Sequence, residues 1–260
     1  MLCRDVIKML EEYAPVSLAE AWDNPGLQTG DEMQQIRRIM IALDATDDVV
    51  DQAVDWKADL LITHHPLIFS AIKKITEDHF IGRRLRKMIR NDISLYAMHT
   101  NCDVAQMADS AAERLGLVDT TVLSPLGAEK GIGKIGRLLK ELSIEELAAH
   151  VKDTFGIPYV QVAQSASEVI STVAICPGSG HDFVTEALEG GADCLITGDM
   201  THHATIDATA QGLHIIDAGH FGTEKFMKDD LFLYFIKQEQ IRKNAIEIQL
   251  ADEREPMAVM

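Results

Sequence analysis

Residues 58–66 read ADLLITHHP, and residues 192–200 read ADCLITGDM. Each is an apolar run of strand length, entered through Ala-Asp and left through Ile-Thr. A run without polar alternation suits a parallel strand covered on both faces. Its recurrence marks an internal repeat. Working outward, strand 39–43, helix 47–57 and strand 59–63 correspond to strand 171–176, helix 181–189 and strand 193–197. Each half then continues with a helix (79–90; 203–211), a strand (93–98; 213–217) and a polar loop (HTNCD at 99–103; GHFGTE at 219–224). The expected fold class is α/β, with two similar α/β units covering residues 1–125 and 126–260.

The remaining punctuation fits this layout. A helix is expected over 4–13, and one over 104–115 that Gly116 stops. The Gly-rich passage GAEKGIGKIGRL at 127–138 reads as a crossover between halves. Ser143 and Glu146 form a capping box for the next helix. A strand at 158–163, a long helix at 223–237 and a last strand at 245–250 complete the chain. GIGKIG at 131–136 matches GxGxxG in form only, because a dinucleotide fingerprint needs a helix to open within it and the next helix starts near Ser143.

Apolar residues make up 47% of the 260-residue chain, enough for a full core and too many for disorder. No apolar run reaches the roughly 18 residues that span a bilayer. The N-terminus reads as an amphipathic helix and not as a secretory signal, so the expected location is the cytoplasm. A net charge of −17 argues against nucleic-acid partners. The basic cluster Arg83, Arg84, Arg86, Lys87 and Arg90 reads as the solvated face of a helix whose other face is Phe80, Ile81, Leu85, Met88 and Ile89, with a subunit contact or a steering patch for an anionic substrate as the alternative. The four cysteines (Cys3, Cys102, Cys176, Cys194) lie far apart without a CxxC pair, which argues against a zinc ribbon or disulfide framework. Cys176 and Cys194 read as small buried strand residues.

Parallel α/β sheets place their sites beyond the C-terminal strand ends. The loops at 64–66, 99–103, 198–203 and 219–224 all leave such ends. They carry His64, His65, His99, Asp103, His220 and Glu224. In extended backbone, adjacent His64 and His65 point to opposite sides. One ion is awkward to share between them, whereas two neighbouring ions suit them. If Glu224 lies in the first turn of helix 223–237, its carboxylate points back towards His220. Imidazole and carboxylate without thiolate fit Zn, Mn, Fe, Co or Ni. Few ligands for two ions leave open positions, the mark of a catalytic metal site.

Four segments together, WDNPGLQTG (22–30), ADLLITHHPLIF (58–69), HTNCDVA (99–105) and GADCLITGDMTHHA with DAGHFGTE (191–204, 217–224), resemble the Ngg-one-interacting-factor-three-like family. Its members are also named GTP cyclohydrolase 1 type 2 homologues. The resemblance runs from about residue 5 to 250. It implies a pair of divalent metals bound between two similar α/β domains, and a ring-shaped homohexamer. The metal ligands it implies are His64, His65, Asp103, His220 and Glu224, with Glu224 bridging. His99 then holds a ligand or substrate through its other N–H, and one of His202 and His203 reaches the site mouth. Asp23 and Asn24 organise a turn near the site, Trp22 belongs to the core, and Asp44 caps the following helix.

The function expected is a dinuclear metal-dependent hydrolase with a metal-bound hydroxide as nucleophile, because no G-x-S-x-G elbow or positioned cysteine is present. His99 and His203 are the candidate catalytic proton carriers. The substrate is an unidentified small molecule, with a nucleotide or phosphate ester as candidates, and no membrane partner is expected. The competing expectation is a non-enzymatic metal-binding scaffold acting through protein contacts.

Overall fold

The computed structural model describes residues 1–127 and 130–257. Its strands are β1 (Gly26–Thr29), β2 (Arg38–Ala42), β3 (Leu60–Thr63), β4 (Ser94–Ala97), β5 (Val118–Pro125), β6 (Gly131–Leu142), β7 (Gln161–Ala163), β8 (Ile170–Ser179), β9 (Cys194–Gly198), β10 (His214–Asp217) and β11 (Glu247–Leu250). The described residues divide into two compact units, one of residues 1–102 and 226–254, the other of residues 103–127, 130–225 and 255–257.

The first unit holds a five-stranded sheet of order β1-β4-β3-β2-β11. β2, β3, β4 and β11 run parallel, and β1 pairs antiparallel with β4. Its C-terminal segment returns because Ile248 and Leu250 of β11 pair with Ile39 and Ile41 of β2. The units are therefore discontinuous and do not divide near residue 125. One sheet face packs Met40, Leu61 and Leu95 against Val49, Val50 and Ala53 of helix Asp47–Trp56 and Leu85 and Met88 of helix Phe80–Arg90. Arg83 and Arg84 reach Asp47, and Lys87 reaches Asp51, so the basic cluster is largely paired with the neighbouring helix. Phe80 and Ile89, expected on the buried face, are 48% and 53% exposed. The helix buries a narrower stripe centred on Leu85 and Met88.

The second unit holds a six-stranded sheet of order β5-β6-β8-β9-β10-β7, with β8, β9 and β10 parallel. β6 pairs antiparallel with β5 and β8. Residues 131–142 are thus a long strand and not a crossover. Their glycines hid the strand periodicity, and Gly133 takes a left-handed φ of 67° within it. Residues 128–129 of the expected crossover lie outside the described residues. The Ser143–Glu146 capping box is present, with each side chain accepting the other residue's backbone N–H.

The repeat survives at the level of single hydrogen bonds. The Asp59 carboxylate accepts N–H groups of Arg37 and Arg38 at the entry to β2, and the Asp193 carboxylate accepts those of Ser171 and Thr172 at the entry to β8. The repeated Ala-Asp therefore clamps the start of the preceding strand. Asp193→Ala strands these donors, and we expect a loss of about 1–3 kcal/mol, read as a lower urea midpoint with an unchanged slope.

All four cysteines are buried free thiols. Among the described residues no helix is long and apolar enough to cross a membrane.

Candidate metal centre

In the first unit β3 delivers the histidine pair. The strand ends at Thr63, whose hydroxyl donates to the carbonyl of His65, and the His65 N–H donates to the carbonyl of Leu43. This bend replaces the extended geometry that would send the two rings apart. Their centroids instead lie 4.8 Å apart, and both approach His99, at 5.3 and 5.5 Å. Each of the three rings offers a nitrogen within 4.8 Å of the others.

Each ring is oriented through its Nδ1. His64 is fully buried and donates from Nδ1 to the carbonyl of Met98 at 2.7 Å. His65 Nδ1 faces an Asp44 oxygen at 3.0 Å, and His99 Nδ1 faces Asp23 at 2.7 Å. Carbonyl and carboxylate oxygens only accept, so each Nδ1 carries a proton, and a neutral ring so held keeps its lone pair on Nε2. This is the pattern that supports metal-ligating histidines.

Asp44 thus holds His65, and Thr46 caps helix Asp47–Trp56 in its place. Asp44 is itself held, because the Glu253 carboxylate accepts the N–H groups of Leu43 and Asp44 and meets Lys228 at 2.8 Å. Asp23 also accepts from the backbone and hydroxyl of Thr100. Burial alone would raise its pKa, but the His99 and Thr100 hydrogen bonds outweigh that and bring it down to about 2. The ionised form is favoured by folding. That stabilisation is complete above about pH 4 and is lost as pH falls through the folded value. Asn24 joins the turn by donating to the carbonyl of Ile68. Trp22, expected in the core, is 59% exposed. Its ring lies against His99 and Phe69, outside the sheet layers.

In the second unit His220 and Glu224 sit on a five-residue helix, His220–Glu224, separated from helix Met227–Lys237 by Lys225 and Phe226. The expected single helix over 223–237 is therefore broken. Glu224 closes the first piece, which places it one turn from His220, with Nε2 and Oε2 3.1 Å apart. His220 Nδ1 faces Asp199 at 2.7 Å. A neutral ring that donates from Nδ1 turns its Nε2 lone pair towards the Glu224 oxygen, an arrangement that a cation between the two relieves. The donor set and its orientation fit a divalent ion.

Glycines make room for this helix. Gly178 has φ 71°, and a Cβ there would lie 2.2 Å from Glu224 Oε1. A Cβ on Gly198 would lie 2.5 Å from the His220 backbone nitrogen. Asp199 takes a left-handed φ of 54°, tolerable for Asp, which aims its carboxylate at His220. Asp103 opens a π-helical turn, Asp103–Met107, of the kind often found at functional sites. Burial, followed by the charges of Asp103 and Glu224, pushes the Cys176 thiol well above its usual pKa, so both carboxylates act on one strand residue. His202 and His203 are exposed, meet edge to face at 5.3 Å and follow the Thr201 cap. Neither joins a group of three metal-ligating side chains among the described residues.

The orienting partners Asp44, Asp199 and the Met98 carbonyl escaped sequence reading. Only the short Asp-bearing loops after strands (DAT at 44–46, GDM at 198–200) hinted at the first two.

Fold and site together define a two-unit α/β protein carrying histidine and carboxylate groups at parallel strand ends. The chain belongs to the Duf34/NIF3 (NGG1p interacting factor 3) family, whose model matches residues 1–256. A Clostridium perfringens protein named GTP cyclohydrolase 1 type 2 homolog is 40% identical over 228 residues, which is 86% of this chain and 87% of that one. The solved structure of a Bacillus cereus protein related to NIF3 matches with TM-score 0.93 at 27% identity, over 100% of this chain and 99% of that one. Reduced HcgD from Methanocaldococcus jannaschii matches with TM-score 0.83 at 32% identity, over 97% and 98% of the two chains.

Proposed function

We propose that this protein is a divalent-metal-dependent hydrolase, with His64, His65, Asp103, His220 and Glu224 as ligands to two ions. The observation that carries the reading is the shared orientation of His64, His65, His99 and His220. Each gives Nδ1 to a protein oxygen and keeps its lone pair on Nε2. Divalent ions bound there supply Lewis acidity and lower the pKa of water.

The chain's own residues supply the rest. Asp44 and the Met98 carbonyl fix His65 and His64, and Asp199 fixes His220. His99, held by Asp23, accepts a proton at Nε2 from the group that attacks. His203 is the second candidate for this role; it is exposed and meets His202 edge to face. The name shared by the relatives favours hydrolysis of a small molecule, and nothing in the site selects guanine.

The test is elemental analysis of protein purified without chelators, followed by a screen of nucleotides and phosphate esters with Mn, Zn, Fe and Co. We expect turnover that disappears together with the metal in His65→Ala. Full turnover in metal-free protein would refute the reading. Metal loss that alters only oligomeric state would favour a scaffold.

A further inference from the structure

Two large aromatic side chains next to the imidazole cluster are left in solvent. Trp22 is 59% exposed and Phe69 52% exposed. Their ring centroids lie 5.8 Å apart at 53°. Both meet His99 in T-shaped contacts, at 5.9 and 6.3 Å, and His99 in turn contacts His64 and His65. The aromatic pair and the imidazoles thus form one continuous surface.

The pair is held in place. Asn24 donates to the Ile68 carbonyl, the Ile68 N–H donates to Gln28, and Gln28 donates to the Asn24 carbonyl. This ring of three bonds latches the loop that carries Trp22 to the loop that carries Phe69. Asp23, the residue after Trp22, is fastened to Thr100 as well as to His99. Exposed rings on latched loops are preorganised binding groups, since their ordering is complete before a ligand arrives. Two rings offer at most about 500 Å², well short of the roughly 800 Å² per partner that a stable protein interface buries. A small planar ligand matches that area.

We propose that Trp22 and Phe69 form a stacking platform for a planar heteroaromatic ring of the substrate, a nucleobase or a ring of similar size, whose remaining part reaches the imidazole cluster. This rests on the metal-dependent reading above and adds the chemical class of the ligand. Stacking tolerates any base because every base has a π face, so the platform selects for a ring and not for one nucleobase.

The experiment uses the full chain with Trp56→Phe, which leaves Trp22 as the only tryptophan of the two. Zn-loaded protein is titrated with adenosine 5′-monophosphate and with ribose 5-phosphate, and binding is read by calorimetry and Trp22 fluorescence. The mononucleotide is expected to bind about tenfold or more tightly than the sugar phosphate and to quench Trp22. Phe69→Ala and, in calorimetry, Trp22→Ala shrink that ratio to below about threefold, whereas Trp22→Tyr retains most of it. Zinc content stays at the parent level in all three. If Trp22→Ala does not fold, Phe69→Ala and Trp22→Tyr decide. Equal affinities in the parent, a ratio that survives both alanine variants, or variants whose only change is a smaller oligomer each overturn the platform. Zinc bound without the ratio refutes the platform alone. A parent that binds no zinc refutes the metal-dependent reading with it.

Discussion

Glu224→Gln is expected to weaken divalent-metal binding by more than about 100-fold, since groups that merely orient a ligand cost 10–100-fold when removed. Glu224 is 3% exposed and lies 3.1 Å from His220 Nε2, so its carboxylate has no alternative position in which to serve the ion. The amide is isosteric and keeps the packing, which separates loss of charge from loss of fold. The parent should melt at higher temperature as zinc is added, because a ligand that binds only the folded state stabilises it by mass action. The variant should melt at the same temperature with and without zinc. Calorimetric titration and thermal melts check both statements, and an unchanged zinc affinity would remove Glu224 from the ligand set.

Gly178→Ala should act on the same carboxylate from the opposite side. The new Cβ would lie 2.2 Å from Glu224 Oε1, and the backbone there holds φ at 71°, which costs a side-chain-bearing residue about 1–2 kcal/mol. Both stability and metal affinity are expected to fall. Gly116 has nearly the same φ, 70°, but nothing stands within 4 Å of its Cβ position. Gly116→Ala therefore carries the backbone strain without the collision. It should lower the melting temperature by less than Gly178→Ala does and leave zinc affinity intact. If Gly178→Ala also leaves zinc affinity intact, the close packing of the strand end does not position Glu224.

The donor residues of the candidate site were legible because they leave apolar strands, and a parallel strand end is where backbone geometry opens to solvent. The repeated ADLLIT and ADCLIT located β3 and β9, and His64 and His65 follow the first of them directly. The break after Glu224 was not legible, because FGTEKFMKDD reads through as one helix and the interruption depends on how Lys225 and Phe226 turn. Trp22 was misplaced for a related reason. Large aromatics are usually buried, and only the latch of Asn24, Ile68 and Gln28 fixes its loop with the ring outward.

Two things were settled by sequence alone: the α/β class, through uninterrupted apolar strands that alternate with amphipathic helices, and the imidazole-and-carboxylate chemistry of the loops. These depend on neighbours within a few residues, and periodicity records them. The direction of each ring was decided by tertiary structure. His64 is oriented by Met98, 34 positions away, His65 by Asp44, 21 positions away, and Asp44 by Glu253, 209 positions away. Hydrogen bonds across such separations leave no local periodicity, so they exist only once the strands have paired.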